Sequence, residues 1–429
     1  MRFTSTRGDA PPVTLSQAIR AGAAPDGGLY LPDRLPAADP AALDPALSLP
    51  DFAARFLAPF FAGDPLEPEL GAICAGAFTF PLPIATLADG RRVLELFHGP
   101  TGAFKDFGAR FLMECLERLG DPAHPLTVLA ATSGDTGGAV GCAAEGRAAV
   151  RAVILYPKGR VSPFQEHQLT CWDEPVRAVE VAGDFDDCQR IAKAAFADVA
   201  MTERFNLTSA NSISIGRLMP QMAYQAWAAL RLLTETGTRP GFVIPTGNLG
   251  HGFAAVYARA MGAPLGPILL VTNENATLAN WARSGSYTPR ASIATIANAM
   301  DVGAPSNFER LIALAPELRE VTVELVDDPA IKARIVADHA DYLWCPHSAA
   351  AAEAYSRLDP ATRAERPWAI AATAHPYKFA DVIEPLIGKT IAAPPALAAI
   401  LSRPSHKDRI PADLRALAAL LAAASMVAV

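Results

Sequence analysis

The sequence predicts an α/β protein built on parallel sheets, and three observations carry that expectation. A short apolar, β-rich run leads into a glycine-rich turn and then into a helical pattern, and this succession recurs along the chain. The helical stretches that separate the runs are roughly ten to fifteen residues long, the spacing of crossover connections between parallel strands. With 429 residues, the chain is also too long for a single ordinary core, so two or three packed units are expected.

Taken in order, Thr127–Thr132 (TVLAAT) reads as a strand feeding the turn SGDTGG and an alanine-rich helix. Ala152–Tyr156 and Val176–Val181 read as further strands, the second followed by a helix from about Asp186. Gly241–Pro245 (GFVIP) runs into TGNLGHG and a helix over Phe253–Met261, and Pro267–Thr272 and Trp368–Thr373 complete the strands. After Lys105, apolar residues at Phe107, Phe111, Cys115 and Leu119, with Leu112 and Leu116 beside them, mark one face of an amphipathic helix. Lys105 therefore stands at a helix start, at the edge of the core. Approximate divisions are an N-terminal segment 1–95, a unit 96–215 and a larger unit 216–429. The C-terminal stretch from Leu414 is rich in alanine, interrupted by Arg415 and short of the roughly 20 apolar residues of a membrane span, so it reads as a packed terminal helix.

Composition narrows the function. Hydrophobic residues make up 51% of the chain and charged residues 19%, an ordinary globular balance. A formal net charge of −7 disfavours nucleic acid, which needs a basic face, but permits a small phosphorylated ligand held by local donors. The six cysteines are scattered, without a CxxC pair or a histidine cluster at zinc spacing, so they read as core residues and no metal is expected. The first residues lack the apolar region of a secretory signal, and a reducing, cytoplasmic setting is expected.

Three segments carry chemistry. In Thr246-Gly247-Asn248-Leu249-Gly250-His251-Gly252, glycines between a strand and a helix let the backbone approach an anion at a positive helix end. Taken alone, the same segment is also a plain βα turn that binds nothing. The order G-x-x-G-x-G is neither the dinucleotide fingerprint nor a P-loop. Thr132-Ser133-Gly134-Asp135-Thr136 has the same setting with more hydroxyls, suited to a carboxylate or phosphate, and reads equally as a capped helix. Lys105, framed by Phe104 and Phe107, can lose its charge through desolvation and attack an aldehyde as a neutral amine; taken alone, it reads first as a surface lysine salt-bridged to Asp106.

The segments LFHGPTGAFKDFGARFL, ATSGDTGGA, ILYPKGRVSPFQE, GDFDDCQ, SANSISIGRLMPQ, PTGNLGHG, ANAMDVGAPSNFERL, PHSAAA and TAHPYKF resemble the bacterial and fungal branch of the threonine synthase family, in its order and spacing. The resemblance spans nearly the whole chain. It implies the fold-type II architecture of enzymes that use pyridoxal 5′-phosphate (PLP), with two parallel-sheet domains plus an N-terminal segment. It also implies conversion of O-phospho-L-homoserine to L-threonine and phosphate, by a monomer or homodimer that engages neither nucleic acid nor membrane. By motif, Lys105 would hold the cofactor as a Schiff base, Gly247, Asn248, Leu249, Gly250, His251 and Gly252 would hold its phosphate, and Thr373 would face its pyridine nitrogen. Ser133, Asp135 and Thr136 would hold the substrate carboxylate, with Asp135 also beside the cofactor. The substrate phosphate requires a second anion site, for which Lys158, Ser162, Asn211, Ser212 and Arg217 are candidates and Lys378 a weaker one. Arg217 is preferred because a guanidinium matches phosphate bidentately. The alternatives are another PLP lyase of the same fold, of the dehydratase or cysteine synthase type, or a non-catalytic binder of a phosphorylated ligand.

Overall fold

The structure is a computed structural model that describes residues 1–39, 43–132 and 134–426. Strands β1 (Phe3–Ser5) and β2 (Tyr30–Pro32) form a small antiparallel pair near the N-terminus. The other described strands are β3 (Ile84–Thr86), β4 (Arg92–Glu95), β5 (Leu126–Ala131), β6 (Val150–Pro157), β7 (Val176–Ala182), β8 (Leu207–Ser209), β9 (Gly241–Pro245), β10 (Ile268–Thr272), β11 (Thr322–Leu325), β12 (Trp368–Ala372) and β13 (Asp408–Pro411). They build a six-stranded sheet in the order β11-β10-β9-β12-β4-β3 and a five-stranded sheet in the order β13-β7-β6-β5-β8. Pairing is parallel throughout except between β3 and β4.

The six runs expected as strands become β5, β6, β7, β9, β10 and β12, their ends displaced by a residue or two. Strands β9 and β12 are buried at every position, as parallel strands covered on both faces by helices must be. The sheets do not follow the divisions drawn along the chain. β3 and β4, from the segment 1–95, pair into the six-stranded sheet, while β13 returns from the far end of the chain to pair with β7. Hydrogen-bonded neighbours in space, rather than neighbours in sequence, decide which unit a strand joins.

The helix that begins at Lys105 runs to Leu119 and buries Phe107, Phe111, Leu112, Cys115 and Leu116, with Leu119 half-buried. It packs against the helices Leu70–Ala77, Asp135–Ala144 and Ile215–Thr236. The last of these is buried over most of its length, Arg217, Gln221 and Gln225 included. Phe52, Phe56, Phe60 and Phe61 of the helix Leu49–Phe61 bring the N-terminal segment into the same core. At the other end, the helix Leu414–Met426 packs on Phe185–Ala197 through buried Leu417 and Leu421. Among the described residues, no helix is long and apolar enough to cross a membrane. Five cysteines are buried and Cys142 partly so, and burial pushes the Cys171 thiol up to about 11.

Candidate active site

The turns after β5, β9 and β12 all leave the carboxyl ends of parallel strands, where ligands bind in open α/β sheets. Lys105 is brought there by pairing rather than by its own strand. Phe104 donates its N–H to the Thr373 carbonyl (2.8 Å), His375 donates to Gly102 (2.9 Å), and Ala103 bridges Ala374. These bonds fasten the start of the Lys105 helix to the end of β12 and so set Thr373 beside it. Gly102 makes the turn possible, with φ of 67°. From the five-stranded sheet, Thr136 accepts a hydrogen bond from Lys105 Nζ at 2.9 Å. The two sheets thus meet at the lysine.

Asp106 is not the partner of Lys105. Its carboxylate accepts from the Thr101 hydroxyl (2.6 Å) and the Thr101 N–H (2.9 Å), closing the turn ahead of the helix, and burial pushes it up to about 6. Lys105 keeps a narrow opening to solvent, yet burial lowers it to about 8; Asp135 opposes that shift, and the cations Arg217 and Lys378 add to it. A neutral amine is therefore well populated near pH 8, as attack on an aldehyde requires. Burial alone would raise Asp135, but Lys378 and then Lys105 hold it below the usual carboxylate range. The Lys378 ammonium is fully buried and lies 3.2 Å from Asp135 Oδ1. It also donates to the Thr101 carbonyl (2.7 Å) and to Gln168 Oε1 (2.5 Å). That contact to Asp135 is electrostatic rather than an aligned hydrogen bond, so Oδ1 keeps acceptor capacity.

Behind Thr373, the Ser348 hydroxyl accepts the Thr373 N–H (3.0 Å), and His347 Nε2 accepts the N–H of Ala299 (3.0 Å). His347 Nε2 is thereby an acceptor, and burial holds the ring neutral by lowering it to about 4. Both residues belong to PHSAAA, yet no spacing rule gave them roles. Only the folded chain brings the start of the helix Pro346–Arg357 under the end of β12.

The loop from Gly247 to Gly252 has the form of an anion cradle. A Cβ on Gly247 would lie 2.8 Å from both the Ala299 carbonyl oxygen and Met300 Cα, so only glycine fits there. Leu249 adopts a left-handed conformation, with φ of 61°. The helix Gly250–Ala260 then begins, and its first N–H groups have no carbonyl one turn earlier to bond. Thr246 Oγ1 at the head of the loop and Ser214 Oγ are buried without hydrogen-bond partners, as expected of groups waiting for a polar ligand. The His251 carbonyl accepts from the Gln225 amide (2.9 Å). The His251 ring turns away to stack on Phe104 (4.8 Å between centroids), and burial lowers it to about 3.

The candidates for the substrate's phosphate separate clearly. Arg217 is buried; one guanidinium nitrogen donates to the Ala210 carbonyl (2.7 Å), while Nε has no partner. It lies against Gly108, one turn along the helix from Lys105, and burial lowers it to about 10 against the opposing charge of Asp106. Ser212 Oγ accepts from the Asn248 amide (2.6 Å), which binds it to the glycine loop, and Asn211 next to it is half-buried. The Ser162 hydroxyl caps the helix Pro163–Thr170 by accepting from the Gln165 N–H. Lys158 is exposed on the turn after β6, and Lys378 is committed to Asp135, Thr101 and Gln168. Ser133 lies outside the described residues.

A lysine softened by burial, an anion cradle at a helix start and buried unpaired hydroxyls fit a PLP site. Residues 93–373 match the family described as pyridoxal-phosphate dependent enzyme. Fold and site together define a PLP-dependent lyase of fold type II, and its cofactor is pyridoxal 5′-phosphate. Residues 2–78 match the threonine synthase N terminus, and residues 348–421 match the threonine synthase C-terminal family. Threonine synthase of Escherichia coli (strain K12) is 37% identical over 419 residues, covering 95% of this chain and 96% of that protein. The crystal structure of threonine synthase from Escherichia coli superimposes with a TM-score of 0.90 at 34% identity, covering 99% of this chain and 100% of that one. PLP-bound threonine synthase from Brucella melitensis gives a TM-score of 0.90 at 31% identity, covering 99% of each chain. The chain belongs to the threonine synthase family.

Proposed function

We propose that this enzyme converts O-phospho-L-homoserine and water to L-threonine and inorganic phosphate, and that Arg217 holds the phosphate that leaves. The observation that carries the substrate choice is that buried guanidinium, close to Lys105 and, among the described residues, with its Nε lacking a hydrogen-bond partner. A buried cation left unpaired is costly, and a dianionic phosphate would remove the cost.

Lys105 is the residue that would carry the cofactor, with the main-chain N–H groups of Gly250, His251 and Gly252 on its phosphate and the Thr373 hydroxyl toward its pyridine nitrogen. When bound, PLP draws electrons from the bonds at the substrate's α-carbon and makes protons at the α- and β-carbons removable. Lys105, freed by the incoming substrate amine, takes the α-proton and then moves protons at the neighbouring carbon. Thr136, the hydrogen-bond acceptor of Lys105 Nζ, orients that amine. The substrate carboxylate fits the start of the helix Asp135–Ala144, where Thr136 offers a hydroxyl and the helix end is positive. Asp135 stays ionised because Lys378 lies beside it. Thr373 is neutral and cannot protonate a ring nitrogen as a carboxylic acid would, which restrains transamination. The electron pair of the β C–H bond expels phosphate from the γ-carbon to Arg217. The γ-carbon takes a proton to become the methyl group, water supplies the hydroxyl at the β-carbon, and the α-carbon regains its proton.

The six unpaired cysteines support a reducing, cytoplasmic setting. The deciding assay compares phosphate release from O-phospho-L-homoserine with turnover of serine and threonine. Stoichiometric threonine and phosphate are expected; a preference for serine or threonine would transfer the enzyme to the dehydratases.

A further inference from the structure

Arg310 is the second buried arginine without a carboxylate partner among the described residues, and the reaction makes no direct use of it. Its guanidinium is fully enclosed and is spent on neutral acceptors. Nε and Nη2 donate to the Tyr30 carbonyl (3.2 and 3.0 Å), Nη2 also to the Ile213 carbonyl (2.7 Å), and Nη1 to Asn307 Oδ1 (2.7 Å). Its neighbour Glu309 is engaged outward, with Arg7 and Thr6. Burial lowers the guanidinium to about 9, so the site bears a desolvation cost that an apolar side chain of similar volume would avoid.

What the charge secures is an orientation. Arginine can only donate hydrogen bonds, so the Asn307 amide must turn its oxygen to Arg310 and its nitrogen away. That nitrogen donates to the Asn248 carbonyl (3.0 Å) and the Ser212 carbonyl (3.3 Å). Asn248 is fixed a second time, accepting the Ser306 N–H on Oδ1 (2.6 Å) and donating from Nδ2 to Ser212 Oγ (2.6 Å). Asn248 lies inside the glycine loop, immediately before Leu249 and the first N–H groups of the helix Gly250–Ala260. Flipping the Asn307 amide would set two donors against each other at Arg310 and two acceptors at the Asn248 carbonyl.

We propose that Arg310, acting through Asn307, is a positioning residue. It locks the Gly247–Gly252 loop and the Asn211–Ser212 turn into one rigid cradle and fastens that cradle to the N-terminal segment at Tyr30. The inference rests on the assignment of the cofactor phosphate to the Gly247–Gly252 loop. It extends that assignment to why the loop is already shaped for an anion, and it gives the N-terminal segment a part in cofactor retention.

The test uses full-length protein resolved from its cofactor. PLP binding is titrated by absorbance, and the bound phosphate is observed by 31P resonance, with circular dichroism as the check on folding. Arg310→Met and Asn307→Ala are each expected to weaken PLP binding at least about tenfold, the scale of one charge-assisted or buried hydrogen bond, and to shift or broaden the phosphorus signal. The double variant should be little worse than either single one, because both break the same relay. If Arg310→Met does not fold, Asn307→Ala decides alone. Folded variants that bind PLP within twofold of the parent, with an unchanged phosphorus signal, overturn the proposal. Gly247→Ala, run in parallel, perturbs the loop directly. If it weakens PLP binding while Arg310→Met and Asn307→Ala do not, the positioning role alone fails. If Gly247→Ala is also silent, the loop assignment fails and the proposal falls with it.

Discussion

At the scale of single residues, two side chains divide the work. In the proposed reaction, Lys105 serves chemistry common to many PLP enzymes, whereas Arg217 selects the substrate that reaches it. Arg217→Ala removes, close to the lysine, a buried guanidinium whose Nε has no hydrogen-bond partner among the described residues. It should lower kcat/KM for O-phospho-L-homoserine at least about a hundredfold, the loss of a strong charge-assisted contact, with the cofactor absorbance band intact. A variant within about threefold of the parent would remove Arg217 from the site. Lys105 makes a pH prediction. Its amine is lowered to about 8 by burial, against 10.5 for an ordinary lysine. Below pH 8 the neutral fraction falls about tenfold per unit, so the rate at which cofactor-free protein takes up PLP should rise with pH and level off above about 8. Between pH 8 and 10.5 an unfolded chain holds the lysine proton that the folded chain has released, so the cofactor-free protein should also gain stability with rising pH there. A midpoint near 10 for uptake would contradict the buried site. Lys105, the glycine turns and Arg217 were legible in the sequence because each is a residue type whose chemistry is distinctive in its local frame. Lys378 stood out only as a weaker phosphate candidate, and its contact with Asp135, like the placement of His347, Ser348 and Arg310, was not legible. Lys378 meets Asp135 and Gln168 across more than 200 residues of chain, and no local spacing encodes that encounter.

At the scale of elements, apolar runs followed by turns gave away the central strands, since a strand covered on both faces must be apolar throughout. The short edge strands were not legible for the converse reason. Thr322–Leu325 carries no fully buried residue, and Asp408–Pro411 buries only Ile410 and is held in part by charges, with Lys407 and Arg409 on Glu180. The hydroxyl-rich turn after β5 depends on how closely its helix approaches the sheet. A Cβ on Gly137 would lie 2.4 Å from Leu169 Cδ2, 2.5 Å from Thr132 Cγ2 and 2.8 Å from Ile154 Cγ2. Gly137→Ala should therefore push the helix Asp135–Ala144 outward and cost about 1–3 kcal/mol, the usual penalty of overpacking. Gly71 is the matched control. Its Cβ would meet nothing within 4 Å in the helix Leu70–Ala77, and alanine there should stabilise by up to about 1 kcal/mol. Thermal unfolding of the two variants in parallel checks both signs, and equal midpoints would mean that the turn tolerates displacement.

At the scale of the molecule, the site exists only where the two sheets are held together, and Lys378 is the buried charge that spans them. It follows β12 of the six-stranded sheet and reaches Asp135 and Gln168, which follow β5 and β6 of the five-stranded one. Replacing it by methionine keeps the volume and removes the charge. Gln168 Oε1 and the Thr101 carbonyl would lose their shared donor, and Asp135 would lose the cation that does most to keep it ionised. Two effects should appear together. The thermal midpoint should fall, because breaking a buried pair leaves an uncompensated carboxylate. Lys105 should also become harder to deprotonate, because Lys378 is one of the cations that lower it. The sign follows from Coulomb repulsion: removing a neighbouring positive charge favours the protonated amine, so the midpoint for PLP uptake should move above about 8. A fall in stability with an unmoved midpoint would make Lys378 a structural cross-tie alone. Movement of both would mean that the contact joining the sheets also tunes the catalytic amine.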